Sequence, residues 1–460
     1  MRAPLLRSAA LLALALGLSP LSGCRRTPPK DVLLITLDTT RADRLGFYGY
    51  RKPTSPNLDR LAAASVVFDL AIAQAAVTPV SHASIFTGLN PYHHGLRVLH
   101  GLEENRLADS LTTLAEVWRQ AGGQTAAFVS AYPVTSAFGL EQGFEHFDAA
   151  FDNADGAGLV DEKGLVNTGP GQRSAGDTTA AAVRWLERRA IPDQPLFLWV
   201  HYFDPHDIRL LPPEELARPF AGAAEEPDEV LRGIYDAEIR TMDDEIGRLL
   251  AAFRARRSSD EAIVAVVADH GEGLGDHGWW SHGILYQEQI RVPLTIRAPG
   301  YPARRVPSLV RTIDLMPTVL ELAAVDRRRW PPMDGRSLAA AMASGATAEP
   351  RLAYADSVNI LTYGRPDDRR RFDDKSDKLY CLMSGDFKLI YHQLEPASSE
   401  FYDLRSDPRE LHDLAPSRPP EMAAMLRRLE GLDAFSDLMP DTSPTDAEHA
   451  ERLRSLGYIE

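Results

Sequence analysis

The sequence predicts an α/β protein in which a mostly parallel, doubly wound sheet is followed by a small antiparallel sheet. Three observations carry this reading. Continuously apolar runs, such as VLLIT within residues 31–37, recur along the chain and suit strands buried on both faces. Helical patterns separate these runs, and that alternation marks parallel strands joined by crossovers. After about Pro350 the texture changes to short strands punctuated by turn residues. With 460 residues the chain exceeds one small core, and it divides into a main domain, 31–349, and a C-terminal subdomain with tail, 350–460.

The elements are expected in the following order. Asp31 to Leu37 is a strand ending at Asp38. Ser55 and Pro56 open a helix to Ala64, and Val66 to Ala71 is a second strand. Pro79 and Gly88 bracket a short helix, Val80 to Thr87. Leu111 to Ala121 is helical and Thr125 to Ser130 extended. Phe151 to Gly176, rich in Gly, Asp and Asn, reads as an exposed insertion before a helix from Thr178 to Arg189. Pro195 to Val200 is a strong strand running into His201 and Asp204. Pro212 to Asp228 is acidic and proline-bearing, placed where a lid would sit, and Glu229 to Arg254 is a long amphipathic helix. Glu261 to Val267 is a fourth buried strand, ending in Asp269 and His270, and Asp314 to Ala324 is a helix. Leu352 to Ala355, Leu379 to Met383, Lys388 to His392 and Phe401 to Leu404 are the short C-terminal strands. Arg365 to Lys378 is a charged, exposed loop.

A net charge of −15 argues against a nucleic-acid surface. An anionic substrate would need positive charge supplied locally by a metal, histidines or helix ends. Two cysteines, Cys24 and Cys381, exclude a disulfide framework and a cysteine-based zinc site. Arg2 and Arg7, the apolar run Ala9 to Leu18, and LSGC at Leu21 to Cys24 read as a secretory leader too short to span a bilayer. LSGC resembles a bacterial lipobox, which implies cleavage before Cys24 and lipidation of its thiol. Residues 25–30 then form a basic tether, and the folded part is expected in the bacterial cell envelope, lipid-anchored and facing the periplasm.

The chemistry collects at strand ends. Asp38, His201 with Asp204, and Asp269 with His270 each follow an apolar strand, and ligands of open α/β sheets bind beyond the strands' carboxyl ends. One rim would therefore gather carboxylates and imidazoles suited to a divalent metal. Thr78, at the entrance of its helix, meets the positive dipole end, which favours an anion and an alkoxide. The glycine-rich run DHGEGLGDHGWWSHG adds His270, Asp276, His277 and His282. Imidazole with carboxylate suits zinc or manganese, and an all-oxygen set suits calcium or magnesium. Tyr92, His93 and His94 read as structural, and Trp279 and Trp280 either line a pocket or pack.

These segments resemble the sulfatase family of the alkaline-phosphatase superfamily. DVLLITLDTTRAD is similar to its first metal strand, TPVSHASIFTGLNPYHHG to its nucleophile segment and VVADHGEGLGDHG to its second metal strand. ILYQEQIRVPLTIRAPG, RTIDLMPTVLELAAV, MDGRSL, GDFKLIY and FYDLRSDPREL resemble its later parts. The resemblance implies an alkaline-phosphatase-like α/β/α core with a C-terminal subdomain. It also implies metal ligation by Asp38, Asp269 and His270, with Thr78 in the nucleophile position. The chain departs from the family's Cys or Ser followed by x-Pro-Ser-Arg: Thr78 cannot become formylglycine, and His82 stands where the family has arginine. Thr39 replaces the second Asp of an Asp-Asp pair, and His270 replaces the Asn of an Asp-Asn pair. The family's lysine beside the nucleophile strand has no counterpart near Thr125, and its second such lysine stands as His282.

These departures point toward the superfamily's threonine-nucleophile phosphodiesterases and phosphotransferases. Asp38, Thr78, Asp269 and His270 would form one metal site, and Asp204, His206 and His282 either a second metal site or substrate-binding groups with a general acid. The expected reaction is hydrolysis or transfer of a phosphate or sulfate ester, with Thr78 attacking and His206 or His282 protonating the leaving group. Two other readings stand beside it: a sulfatase working with unmodified threonine, and a non-catalytic lipoprotein binding an envelope glycan or lipid.

Overall fold

The computed structural model describes residues 29–96, 106–151, 171–206, 212, 214–222, 225–257, 261–346, 350–357, 378–393 and 395–432. The leader with Cys24, most of the insertion expected at 151–176, and the loop expected at 365–378 except Lys378 lie outside these residues.

Eight strands form the main sheet: β1 (Val32–Leu37), β2 (Val66–Ile72), β3 (Gln124–Phe128), β4 (His146–Asp148), β5 (Leu196–Tyr202), β6 (Ile263–Ala268), β7 (Arg291–Arg297) and β8 (Arg304–Arg311). Their spatial order is β4-β3-β5-β1-β6-β7-β2-β8, parallel throughout except that β7 runs against β6 and β2. The central strands β5, β1 and β6 are buried at every residue, as unbroken apolar runs require of strands covered on both faces. The helices are α1 (Pro56–Ala62), α2 (Thr78–Thr87), α3 (Pro91–His94), α4 (Leu114–Gln120), α5 (Ala175–Arg188), α6 (Glu214–Ala221), α7 (Pro227–Arg256), α8 (Gln287–Ile290), α9 (Leu315–Leu322), α10 (Ala339–Ser344) and α11 (Pro420–Glu430).

Local chemistry explains where boundaries differ from expectation. α4 starts at Leu114 rather than Leu111, because Thr113 and Glu116 close a reciprocal capping box. α5 starts at Ala175 inside the expected insertion, because the Ser174 hydroxyl accepts the Asp177 N–H. The acidic stretch at 212–228 contains α6, which packs tightly on α7: a Cβ at Gly233 would stand 2.7 Å from the Ala221 Cα. β4, β7 and β8 were not expected from the sequence.

The C-terminal sheet is antiparallel, in the order β12-β11-β10-β9, from β9 (Leu352–Ser357), β10 (Leu379–Ser384), β11 (Phe387–His392) and β12 (Glu400–Asp403). One face meets Ile72, Ile284, Leu285 and Ile290 of the main domain, and the other buries Met425 and Leu429 of α11. Among the described residues no helix is long and apolar enough to cross a membrane.

Candidate active site

β1 and β6 are neighbours in register, with Leu37 opposite Ala268, so Asp38 and Asp269 leave the sheet side by side. Adjacent strands lie about 4.8 Å apart, which leaves two carboxylates nowhere to go but toward each other. His270 follows at once, and its ligand atom and those of Asp38 and Asp269 all lie within 4.8 Å of one another. All three side chains are fully buried. Burial drives both carboxyls well above the usual carboxylate range, and at Asp269 the adjacent Asp38 adds to the shift. Among the described residues Asp38 Oδ1 and Asp269 Oδ2 accept no hydrogen bond. Two desolvated carboxylates with open lone pairs and an imidazole are a donor set that fits a divalent cation.

The histidine tautomers follow from their partners. His270 Nδ1–H donates to the Gly271 carbonyl at 2.9 Å, which leaves Nε2 with its lone pair. The Thr78 hydroxyl, at the start of α2, lies 3.0 Å from that Nε2 and donates to it. His201 Nδ1 accepts from the Ser130 N–H, so its Nε2–H points at Asp38 Oδ2, 3.2 Å away. Burial lowers His201 to about 3, so it orients Asp38 as a neutral donor. His82 Nδ1–H donates to the Thr78 carbonyl at 2.9 Å, and its Nε2 accepts from Thr36 at 3.1 Å. Burial holds His82 well below its ordinary value. It is a neutral brace beneath Thr78 rather than a cation replacing arginine.

His206 and His282 meet Nε2 to Nε2 at 3.2 Å. His282 Nδ1–H donates to the Ala76 carbonyl, so its Nε2 is the acceptor and His206 Nε2 carries the proton of this pair. The His282 ring lies 4.4 Å from that of His270, which ties the pair to the metal-side cluster. Asp204 does not join them. Its Oδ1 accepts the Ala175 N–H in the first turn of α5, and burial pushes its carboxyl up to about 7. Among the described residues Asp204, His206 and His282 form no group of metal-ligand spacing; α5 takes Asp204 Oδ1, while the buried Oδ2 accepts no hydrogen bond among them.

The rest of the glycine-rich run is structural. Asp276 pairs with Arg41 and His277 with Glu288, each at 2.7 Å. Trp279 donates to the His282 carbonyl, and Trp280 lies under Arg232. A Cβ at Gly271 would stand 2.0 Å from the Glu288 carbonyl oxygen, so only glycine lets the chain pass there. Tyr92 packs on Tyr354, His93 on Asp334, and His94 on Ser84, away from the cluster.

Sequence reasoning missed the role of Arg41, and it read Thr39 only as a family departure, not as a strained backbone position. The buried Arg41 guanidinium binds Asp43, Asp276 and the carbonyls of Glu272 and Gly273, lashing the loop after β1 to the loop after β6. Thr39 sits at φ 45°, an outlier for a β-branched residue, held by Asp269 on its N–H and Tyr235 on its carbonyl. Arg41→Met removes the lashing and leaves the buried Glu272 and Gly273 carbonyls unpaired, while Asp43 and Asp276 are partly exposed to solvent. It is expected to cost about 1–3 kcal/mol of stability and to lower metal affinity, read by thermal melts with and without added ion. A variant that melts and binds metal like the parent would remove Arg41 from this role.

Comparison with known proteins agrees with the geometry. The sulfatase family model matches residues 30–325, and that for the C-terminal region of N-sulphoglucosamine sulphohydrolase matches 275–432. The chain is 26% identical over 440 residues to an uncharacterised sulfatase of Escherichia coli K12, covering 84% of this chain and 82% of that one. It is 25% identical over 453 residues to an arylsulfatase of Clostridium perfringens, covering 84% and 90%. Among solved structures, a phosphonate monoester hydrolase of Agrobacterium radiobacter shares the fold, with a TM-score of 0.68, 21% identity, and 88% and 95% coverage.

Proposed function

Since the chain belongs to the sulfatase family, whose members are ester hydrolases of the alkaline-phosphatase superfamily, we propose that Thr78 is its nucleophile and a phosphodiester its preferred substrate. The observation that carries this is the Thr78 hydroxyl held 3.0 Å from His270 Nε2, the nitrogen that would ligate the ion, beside two open carboxylate oxygens. Threonine cannot yield the aldehyde that a formylglycine sulfatase uses, so the hydroxyl itself must do the chemistry.

A divalent ion on Asp38, Asp269 and His270 would supply Lewis acidity toward the ester oxygen and the hydroxyl, and the imidazole in the set favours zinc or manganese over calcium or magnesium. Thr78 Oγ1, its proton given up to solvent beforehand, attacks phosphorus as the alkoxide, in line with the leaving alcohol, whose bond to phosphorus breaks. The positive end of α2 faces the charge that spreads over the equatorial oxygens. His206, acting as the imidazolium, gives the Nε2 proton it holds against His282 to the departing alkoxide and is left neutral. Water, or a second alcohol, then takes the group from Thr78 and returns the proton to His206. In the same proposal the chain is cleaved before Cys24, lipidated there and held in the bacterial envelope facing the periplasm, where an anionic glycan or lipid ester is the substrate class within reach.

The test begins with elemental analysis of the purified protein, followed by parallel assay of bis-p-nitrophenyl phosphate, p-nitrophenyl phosphate and p-nitrophenyl sulfate. One ion per chain and a preference for the diester are expected. Turnover of the sulfate alone would replace this reading with that of a sulfatase working through unmodified threonine.

A further inference from the structure

The end of the sheet opposite the active site carries a cavity that no catalytic argument uses. It measures about 320 Å³ and lies between α1 and α7, floored by Leu61, Leu250 and Phe253. Arg60, Arg254 and Arg297 stand around it, and among the described residues no carboxylate lines it, in a chain whose net charge is −15. Val264, in its wall, is five residues before Asp269 on β6, so the cavity opens roughly 17 Å from the metal-side cluster at the far edge of the sheet. The chain enters the fold at the same edge. Lys30 N–H donates to the Ala323 carbonyl, Ile263 N–H donates to that of Asp31, and Leu33 pairs with Val264 itself. Arginine in the last turn of a helix, such as Arg254, is ordinary dipole complement. Arg60, in the last turn of α1, is of the same kind, but Arg297 ends a strand, β7, and the dipole argument does not explain why the three converge on one apolar hollow.

We infer that this edge is a membrane-docking surface and that the cavity between Arg60, Arg254 and Arg297 seats the phosphate and upper acyl chain of an anionic phospholipid in the bilayer. The inference rests on the lipid-anchor reading for its geometry. Six residues separate Cys24 from Lys30, a reach of at most about 20 Å, so an anchored chain holds this edge against the headgroups. The active site then faces away from the bilayer, open to substrate in the aqueous space.

The test uses the chain from Arg25, which retains every described element, in flotation with phosphatidylcholine vesicles containing or lacking about one third phosphatidylglycerol, at low and high salt. Binding is expected only with phosphatidylglycerol, weakened by salt. It should fall at least about a hundredfold in R60E/R254E/R297E, since each of the three arginines lost is worth roughly fivefold near an anionic surface and reversal adds repulsion. The charge-conserving R60K/R254K/R297K variant should retain most of it, and p-nitrophenyl ester turnover serves as the check that each variant is folded. No binding, binding indifferent to lipid charge, or binding unchanged by charge reversal would overturn the docking surface. Mass spectrometry of the membrane-bound full-length protein tests the anchor separately: an unlipidated Cys24 beside intact vesicle binding removes the anchor and leaves the surface.

Discussion

Replacing Thr78 with alanine is expected to abolish turnover while the protein stays folded and metal-loaded. The drop in kcat should reach at least about 10⁴-fold, the scale seen when the nucleophile is removed from a site that otherwise remains intact. Thr78 is fully buried, so the truncation costs stability too, on the order of 1 kcal/mol for two heavy atoms and one hydrogen bond. Metal content is the decisive control. Asp38, Asp269 and His270 keep their places in the variant, so an ion should still bind. The conservative Thr78→Ser variant keeps the hydroxyl and should retain turnover within about a hundredfold. An alanine variant that keeps diester cleavage near the parent level would remove Thr78 as nucleophile. An inactive variant that has also lost its metal would reassign Thr78 as a ligand first.

The largest stability effect is expected at Lys388. Its ammonium and Glu410 Oε1 are fully buried and lie 2.5 Å apart, an ion contact without hydrogen-bond alignment. Glu410 Oε2 accepts the Gln287 N–H at 2.6 Å, and the Glu410 carbonyl lies 3.2 Å from His277 Nε2. The pair therefore pins β11 to the segment that follows the active-site loop. Burial pushes the Glu410 carboxyl up, and Lys388 pulls it back only in part. Lys388→Met strands that carboxylate in an apolar interior, and a loss of about 3–5 kcal/mol is expected in denaturant titration. The deficit should shrink as pH falls, because protonation discharges the orphaned group. The double variant Lys388→Met/Glu410→Gln should recover most of the loss. A single variant within about 1 kcal/mol of the parent would show that the pair contributes little.

The sequence disclosed the site's metal-side residues for a simple reason. Asp38, Asp269 and His270 directly follow apolar strands, and position after a buried strand is local information. The proton logic was not local. Which nitrogen of His270 is free depends on the Gly271 carbonyl, and the role of His82 depends on Thr36, 46 residues away. Asp204 shows the converse. It follows a strand like the others, yet its Oδ1 accepts an N–H of α5 and it stands outside the cluster, and nothing near it in sequence reveals that contact. β7 and β8 escaped notice because prolines and arginines interrupt their apolar pattern, RVPLTIR and RRVPSLVR. Such strands are recognised through their partners rather than their composition.

The in-register pairing of β1 with β6 has a consequence for how this protein can vary. Asp38 and Asp269 owe their spacing to a ladder of main-chain hydrogen bonds, not to the loops that follow. Sliding either strand by one residue would carry its carboxylate about 3.3 Å along and swing it to the opposite face of the sheet. No intermediate geometry exists for selection to explore. Descendants of such a chain can lengthen, shorten or replace any loop around the rim and so meet different esters. The charge and softness of the centre itself can change only by exchanging one side chain for another at a fixed address, as Thr39 and His270 illustrate.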